Sequence, residues 1–177
     1  MTAGLFIGTI NAASGAVGTG NAGSERIDNF LLLDHQGQAR ELYYQRDATT
    51  VVIVAHRLDC KAMADDLAQL AALAAEDPAL RLWLLNPVDD ATALDTAAGV
   101  ATPILEDRAQ AISRSLGFTH AGEAIVIDTD GWTLRYRGSV KGAAAALQGA
   151  VDVIPAADTA GQCPLSLEPQ PAPADYA

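Results

Sequence analysis

The chain has 177 residues, half of them hydrophobic, which suits one domain with a substantial core rather than a disordered polymer. Its 11 Lys and Arg against 22 Asp and Glu leave a net charge of −11, arguing against nucleic acid or an anionic membrane surface as partner. No stretch reaches the roughly 18–20 unbroken apolar residues of a membrane-spanning helix.

In chain order, residues 1–24 read as a flexible leader of Gly, Ser, Ala and Asn or as the remnant of a signal. The small residues Ala12, Ala13 and Ala16 look like the end of a secretory signal, but the first basic residue is Arg26, so the charged start of such a signal is missing. Location stays open, with the bacterial periplasm or the outside favoured over the cytoplasm. "IDNFLLLDHQGQARELYY" holds two apolar runs around a turn at His35-Gln36-Gly37, a hairpin at a domain edge in which His35 is solvated. Val51–Ala55 is a continuous, mostly β-branched run, the pattern of a strand buried on both faces. From Cys60 the period changes: Met63, Leu67, Leu70 and Ala74 put one apolar stripe on a helix that Asp77-Pro78 ends.

"LRLWLLN" is the next buried strand, with Trp83 as a packing residue, and "PVDDATALDTAAGV" a helix that Gly99 can close. "ILEDRAQAISRSLG" contains a short strand or turn and a helix with Gly117 just past its end; Asp89-Asp90 and Glu106-Asp107 supply helix N-terminal charge. "EAIVID" and "TLRYRG" form an antiparallel hairpin through Thr129-Asp130-Gly131-Trp132, and "KGAAAALQGAVDVI" is a last helix ending at Pro155. Two βα units, a late hairpin and a closing helix make an α/β, thioredoxin-like domain over residues 25–156, a central mixed sheet with flanking helices. Residues 157–177 are a Pro-rich, mobile tail.

Cys60 and Cys163 are the two cysteines, too few for a disulfide framework or, alone, a zinc site; as a pair they would be a redox couple or a single staple. Cys60 follows a buried strand through His56-Arg57-Leu58-Asp59, with Asp59 as N-cap of the next helix. A thiol in a helix's first turn meets the positive end of the helix dipole, which favours the thiolate. His56 and Arg57 add hydrogen bonding or positive charge, Asp59 opposes with an anion, and Lys61 partly offsets it. The alternative is an inert, small apolar residue.

"VVIVAHRLDCKAM" resembles the active-site segment of peroxiredoxin-like redoxins, the alkyl hydroperoxide reductase and thiol-specific antioxidant group. "AISRSLGFTHAGEAIVIDTDGWTLRYRG" is similar to the helix, turn, strand and hairpin of that group, and the likeness runs from about Ile27 to Ile154. It implies that Cys60 attacks a peroxide or disulfide, that Cys163 resolves the product in cis or across a homodimer, and that a thioredoxin-like reductant resets the pair without a cofactor. It also implies a peroxide-polarising role for Arg137 and a substrate-site role for the loop His120-Ala121-Gly122-Glu123. Departures are clear: Ile53 and Arg57 stand where a peroxidase has Pro and Thr, Cys60-Lys61-Ala62-Met63 holds no second cysteine, and the loop before "VID" lacks the usual proline. A permanent Cys60–Cys163 staple, worth roughly 4–5 kcal/mol on the chain-entropy model, is the structural alternative for the pair. A non-catalytic or copper-handling module is the functional alternative, in which His56, His120 and Cys60 converge on Cu or Zn.

Overall fold

The computed structural model describes residues 25–87, 101–149 and 163–168. The expected leader, the helix after Pro87, the 150–155 part of the last helix and most of the tail lie outside them. A short antiparallel pair, β1 (Leu31–Leu33) and β2 (Ala39–Glu41), precedes the main sheet. The expected edge hairpin is there, but His35 is not simply solvated. Its N–H donates to the Ile104 carbonyl (2.8 Å) and its Nδ1 accepts from Ile104 N–H (3.2 Å), pinning the turn to the main sheet.

That sheet has the order β5-β4-β3-β6-β7. Its centre is β3 (Thr50–Ala55), parallel to β4 (Leu80–Asn86) and antiparallel to β6 (Glu123–Asp128). Val51, Val52, Ile53 and Val54 are fully buried, because a strand covered on both faces has no solvent side for a polar residue. β5 (Ile104–Glu106) lies parallel to β4 on one edge, and β7 (Thr133–Ser139) antiparallel to β6 on the other. Trp83 is buried in the core, and Trp132 stacks on Tyr43 with ring centroids 4.5 Å apart.

Among the described residues, three α-helices flank the strands: α1 (Ala64–Glu76), α2 (Ala111–Ser115) and α3 (Val140–Leu147). The stripe expected on α1 is present, with Met63 and Leu70 buried, Leu67 and Ala74 packed at the core's edge, and Asp77 as C-cap. Asp107, itself buried, accepts the Ile112 and Ser113 N–H groups at 3.3 and 2.6 Å, satisfying the open donors of α2's first turn. Gly117 follows α2 at φ +70°, the left-handed stop its position predicted. The last helix is shorter than its sequence suggests: α3 ends at Leu147, eight residues before Pro155, and Gly149 takes φ +74°. No helix among the described residues is long and apolar enough to cross a membrane.

Candidate functional site

β3 delivers His56 at its C-terminal end, and the chain then turns over His56–Asp59 to reach Cys60. The turn is held by Cys60 N–H on the Arg57 carbonyl (3.1 Å) and His56 N–H on the Leu85 carbonyl (2.8 Å). Cys60 caps a 3-10 turn, Lys61–Met63, which leads directly into α1. Asp59 is therefore not the N-cap. Its carboxylate is taken by Arg57, with Nε–Oδ1 at 3.0 Å and Nη2–Oδ2 at 2.6 Å, a two-pronged pair that local geometry favours over a backbone cap. The Arg57 guanidinium holds the Asp59 carboxyl below the ordinary carboxylate range. The anion that opposes a Cys60 thiolate is thus neutralised next to it.

Cys60 is bonded to Cys163, across 103 residues of sequence, with Cα atoms 5.9 Å apart. Both sulfurs sit against the core, and Cys60 is 6% exposed. Residues 163–168, placed in the tail on sequence grounds, lie along the domain as an extended strap. Ala121 N–H donates to the Cys163 carbonyl and Leu165 N–H to the Thr119 carbonyl, both at 2.8 Å, so the strap pairs antiparallel with the loop before β6. Arg57 Nη1 donates to the Pro164 carbonyl at 2.8 Å, and the Leu165 side chain is buried.

The loop that receives the strap is organised by Glu123. Its carboxylate accepts Thr119 N–H (2.6 Å), Thr119 Oγ1–H (2.9 Å) and His120 N–H (3.2 Å), while His120 Nδ1 lies 2.9 Å from Thr119 Oγ1. The position where proline was missing therefore keeps a backbone-pairing role through Ala121. Cys60, Cys163, Arg57, His120 and Glu123 are brought to one end of the sheet through this bonded chain, and His56 stands at the start of the turn that carries Cys60. Arg137, on β7, is held by the Leu116 carbonyl and by Glu25, the latter at 3.0 Å.

His56 is 8% exposed, its Nδ1 has no hydrogen-bond partner, and burial pushes its pKa from 6.5 to about 4. It is neutral at physiological pH and carries no charge for the sulfur. The copper or zinc constellation is not assembled: no group of three or more His, Cys, Asp or Glu among the described residues can hold a metal ion. A cavity of about 780 Å³ lined by Arg26, Arg46, Asp128 and Trp132 opens elsewhere, by the last residue of β6 and the turn after it, away from the cysteines at the sheet's other end.

Sequence reasoning missed three contributors: Thr119, which bridges Glu123 and the strap, and Gln110 and Arg114, which bind the strap farther along. The alternation of Cys163, Leu165 and Leu167 was the one available signal, since a period of two marks an extended segment with one face on a core.

The mixed sheet, with a cysteine between its central strand and the first long helix, matches solved structures over most of its length. A thiol-disulfide oxidoreductase from Bacteroides fragilis superposes with a TM-score of 0.59 at 14% identity, covering 70% of this chain and 96% of that one. The chain has a thioredoxin fold. A hypothetical protein from Sinorhizobium meliloti superposes at TM-score 0.59 and 21% identity, covering 78% of this chain and 91% of that one. The peroxidoxin BcpB from Mycobacterium tuberculosis gives 0.55 and 17%, covering 73% and 93%. No protein-family model and no curated protein sequence matches the chain.

Proposed function

We propose that this thioredoxin-fold domain is a thiol–disulfide oxidoreductase that uses Cys60 and Cys163 as its redox pair. The observation that carries the reading is the bond between Cys60, at the turn from the central strand into α1, and Cys163 on a strap paired with the facing loop. In the reducing direction the Cys60 thiolate attacks one sulfur of a substrate disulfide, forming a mixed disulfide and releasing one substrate thiolate. The Cys163 thiolate then attacks the Cys60 sulfur, closing the Cys60–Cys163 bond and releasing the second thiolate. A dithiol reductant of the thioredoxin class reverses the closure, taking the oxidised state onto its own sulfurs.

The residues around the pair supply elementary help. The 3-10 turn and α1 offer the positive end of a helix to a Cys60 thiolate, as nucleophile and as leaving group. Arg57 cancels Asp59 and tethers Pro164, and Glu123 fixes the loop on which Cys163 rests. Disulfide reduction is favoured over peroxide reduction because the residue three before Cys60 is Arg57, not the threonine whose hydroxyl binds a peroxide oxygen in the group the sequence resembles. The Arg57 guanidinium is also already shared between Asp59 and Pro164. Arg137 as a peroxide-polarising group belongs to the peroxide alternative.

The test is intact mass spectrometry of the fully reduced chain after one equivalent of oxidised glutathione or, separately, of hydrogen peroxide. Closure of Cys60 onto Cys163 is expected in the glutathione arm with the faster rate, and Cys60→Ser is expected to abolish it. Wild-type turnover of a disulfide substrate by Cys60→Ser would refute the reading; faster closure with peroxide would move the substrate class to peroxides.

A further inference from the structure

Beyond Pro164, the strap is gripped by two side chains that take no part in the disulfide. Gln110 Nε2 donates to the Ser166 carbonyl (3.4 Å) while its Oε1 accepts Glu168 N–H (2.6 Å). One carboxamide thus offers a donor and an acceptor to residues two apart, as a neighbouring β-strand would. Arg114, one turn on in α2, donates to the Glu168 carbonyl (3.0 Å) and to Gln110 Oε1 (3.3 Å), fixing the carboxamide's orientation. Gln110 Nε2 also reaches the Pro87 carbonyl (3.2 Å), and its backbone sits at φ +56°, uncommon for a residue with a side chain. Between these anchors and the Arg57–Pro164 bond, Leu165 is buried and Leu167 packs at the core's edge.

We propose that Gln110 and Arg114 are positioning residues for the redox pair: they dock residues 163–168 on the domain independently of the disulfide, so that Cys163 stays beside Cys60 when the bond is reduced. Reduction adds two electrons and two protons to the sulfurs and breaks the S–S bond alone. The backbone pairing to Thr119 and Ala121, the Leu165 contact and the Gln110–Arg114 grip contain no sulfur and survive it. Closure is then a reaction within one chain between thiols held near bonding distance, with a high effective concentration of Cys163 at Cys60. The inference rests on the thiol-redox reading for its use, but the docking itself does not.

Two measurements on the full chain test it, neither reading enzymatic turnover. In the first, hydrogen exchange is followed on the reduced wild-type protein. Protection of the Leu165 and Glu168 amides at least tenfold beyond the free-peptide rate is expected; free-peptide rates would overturn the proposal. In the second, the chain is equilibrated in glutathione buffers of graded ratio, and closed, open and glutathionylated forms are counted after alkylation. Gln110→Asn/Arg114→Ala keeps a residue tolerant of the left-handed backbone at 110 but removes the reach to the strap. It is expected to lower the effective concentration of Cys163 tenfold or more and to accumulate glutathione on Cys60. A closing equilibrium within twofold of wild type, with circular dichroism showing a folded variant, would overturn the proposal. An unfolded variant leaves the decision to the exchange measurement. A chain that turned over no disulfide yet kept a protected strap would refute the proposed function and uphold the docking.

Discussion

His56 is a buried imidazole with an unpartnered Nδ1, and its pKa of about 4 against an ordinary 6.5 has a consequence for stability. Between those values the unfolded chain takes up a proton that the folded chain refuses. Stability contributed by neutral His56 is therefore complete above about pH 6.5 and is lost as pH falls toward 4, up to roughly 3 kcal/mol. Urea midpoints at pH 7.5 and 4.5 should separate strongly in the wild type and much less in His56→Gln; equal separation would assign the acid loss elsewhere. Glu123 is a second residue whose role the fold reveals, accepting one O–H and two N–H groups from Thr119 and His120. Glu123→Gln keeps one acceptor oxygen for the two N–H groups but removes the charge that strengthens all three bonds, and should cost about 1–2 kcal/mol in denaturant titration.

Among the elements, α3 depends on the absence of a side chain. Ser139 caps it by accepting Gly142 N–H at 3.2 Å, and Tyr136 Oη donates to the Ser139 carbonyl at 3.0 Å. The phenol of Tyr136 lies directly over Gly138 and Gly142, where an added Cβ would collide with its oxygen. A helical Gly→Ala change ordinarily stabilises by about 1 kcal/mol. Here Gly142→Ala should instead destabilise by roughly 1–3 kcal/mol, because the ring is buried and has little room to withdraw. A thermal melt at or above that of the wild type would contradict this. The strands were legible element by element: the Val51–Ala55 run reads as a doubly buried strand and the "VID" and "YRG" segments as a hairpin, since burial and turn chemistry are local. The length of α3 was not, because the alanine run before Gly149 carries no stop of its own and the end comes with that glycine's left-handed backbone.

For the molecule as a whole, the Cys60–Cys163 bond closes a loop spanning most of the domain. Cross-linking across 103 residues should stabilise the fold by about 4–5 kcal/mol through the unfolded chain's lost entropy. Cys163→Ser should lower the unfolding free energy by that amount relative to the oxidised wild type, and match the reduced wild type. A large residual gap between Cys163→Ser and the reduced wild type would mean that the serine disturbs the strap itself. The net charge of −11 bears on solubility and self-repulsion rather than on the fold.

The sequence by itself determined the alternation of strands and helices, the central buried strand and the placing of Cys60 between that strand and a helix. Each is a matter of side-chain period and of neighbours within a few residues. Only the tertiary structure decided that Cys60 meets Cys163, that Arg57 reaches both Asp59 and Pro164, and that Gln110 and Arg114 grip the strap. Those contacts join residues separated by 54 to 107 positions, apart from the local Arg57–Asp59 pair. No local pattern encodes them, because they depend on how the sheet's end, the α2 turn and the chain's last described residues come together once the core has closed.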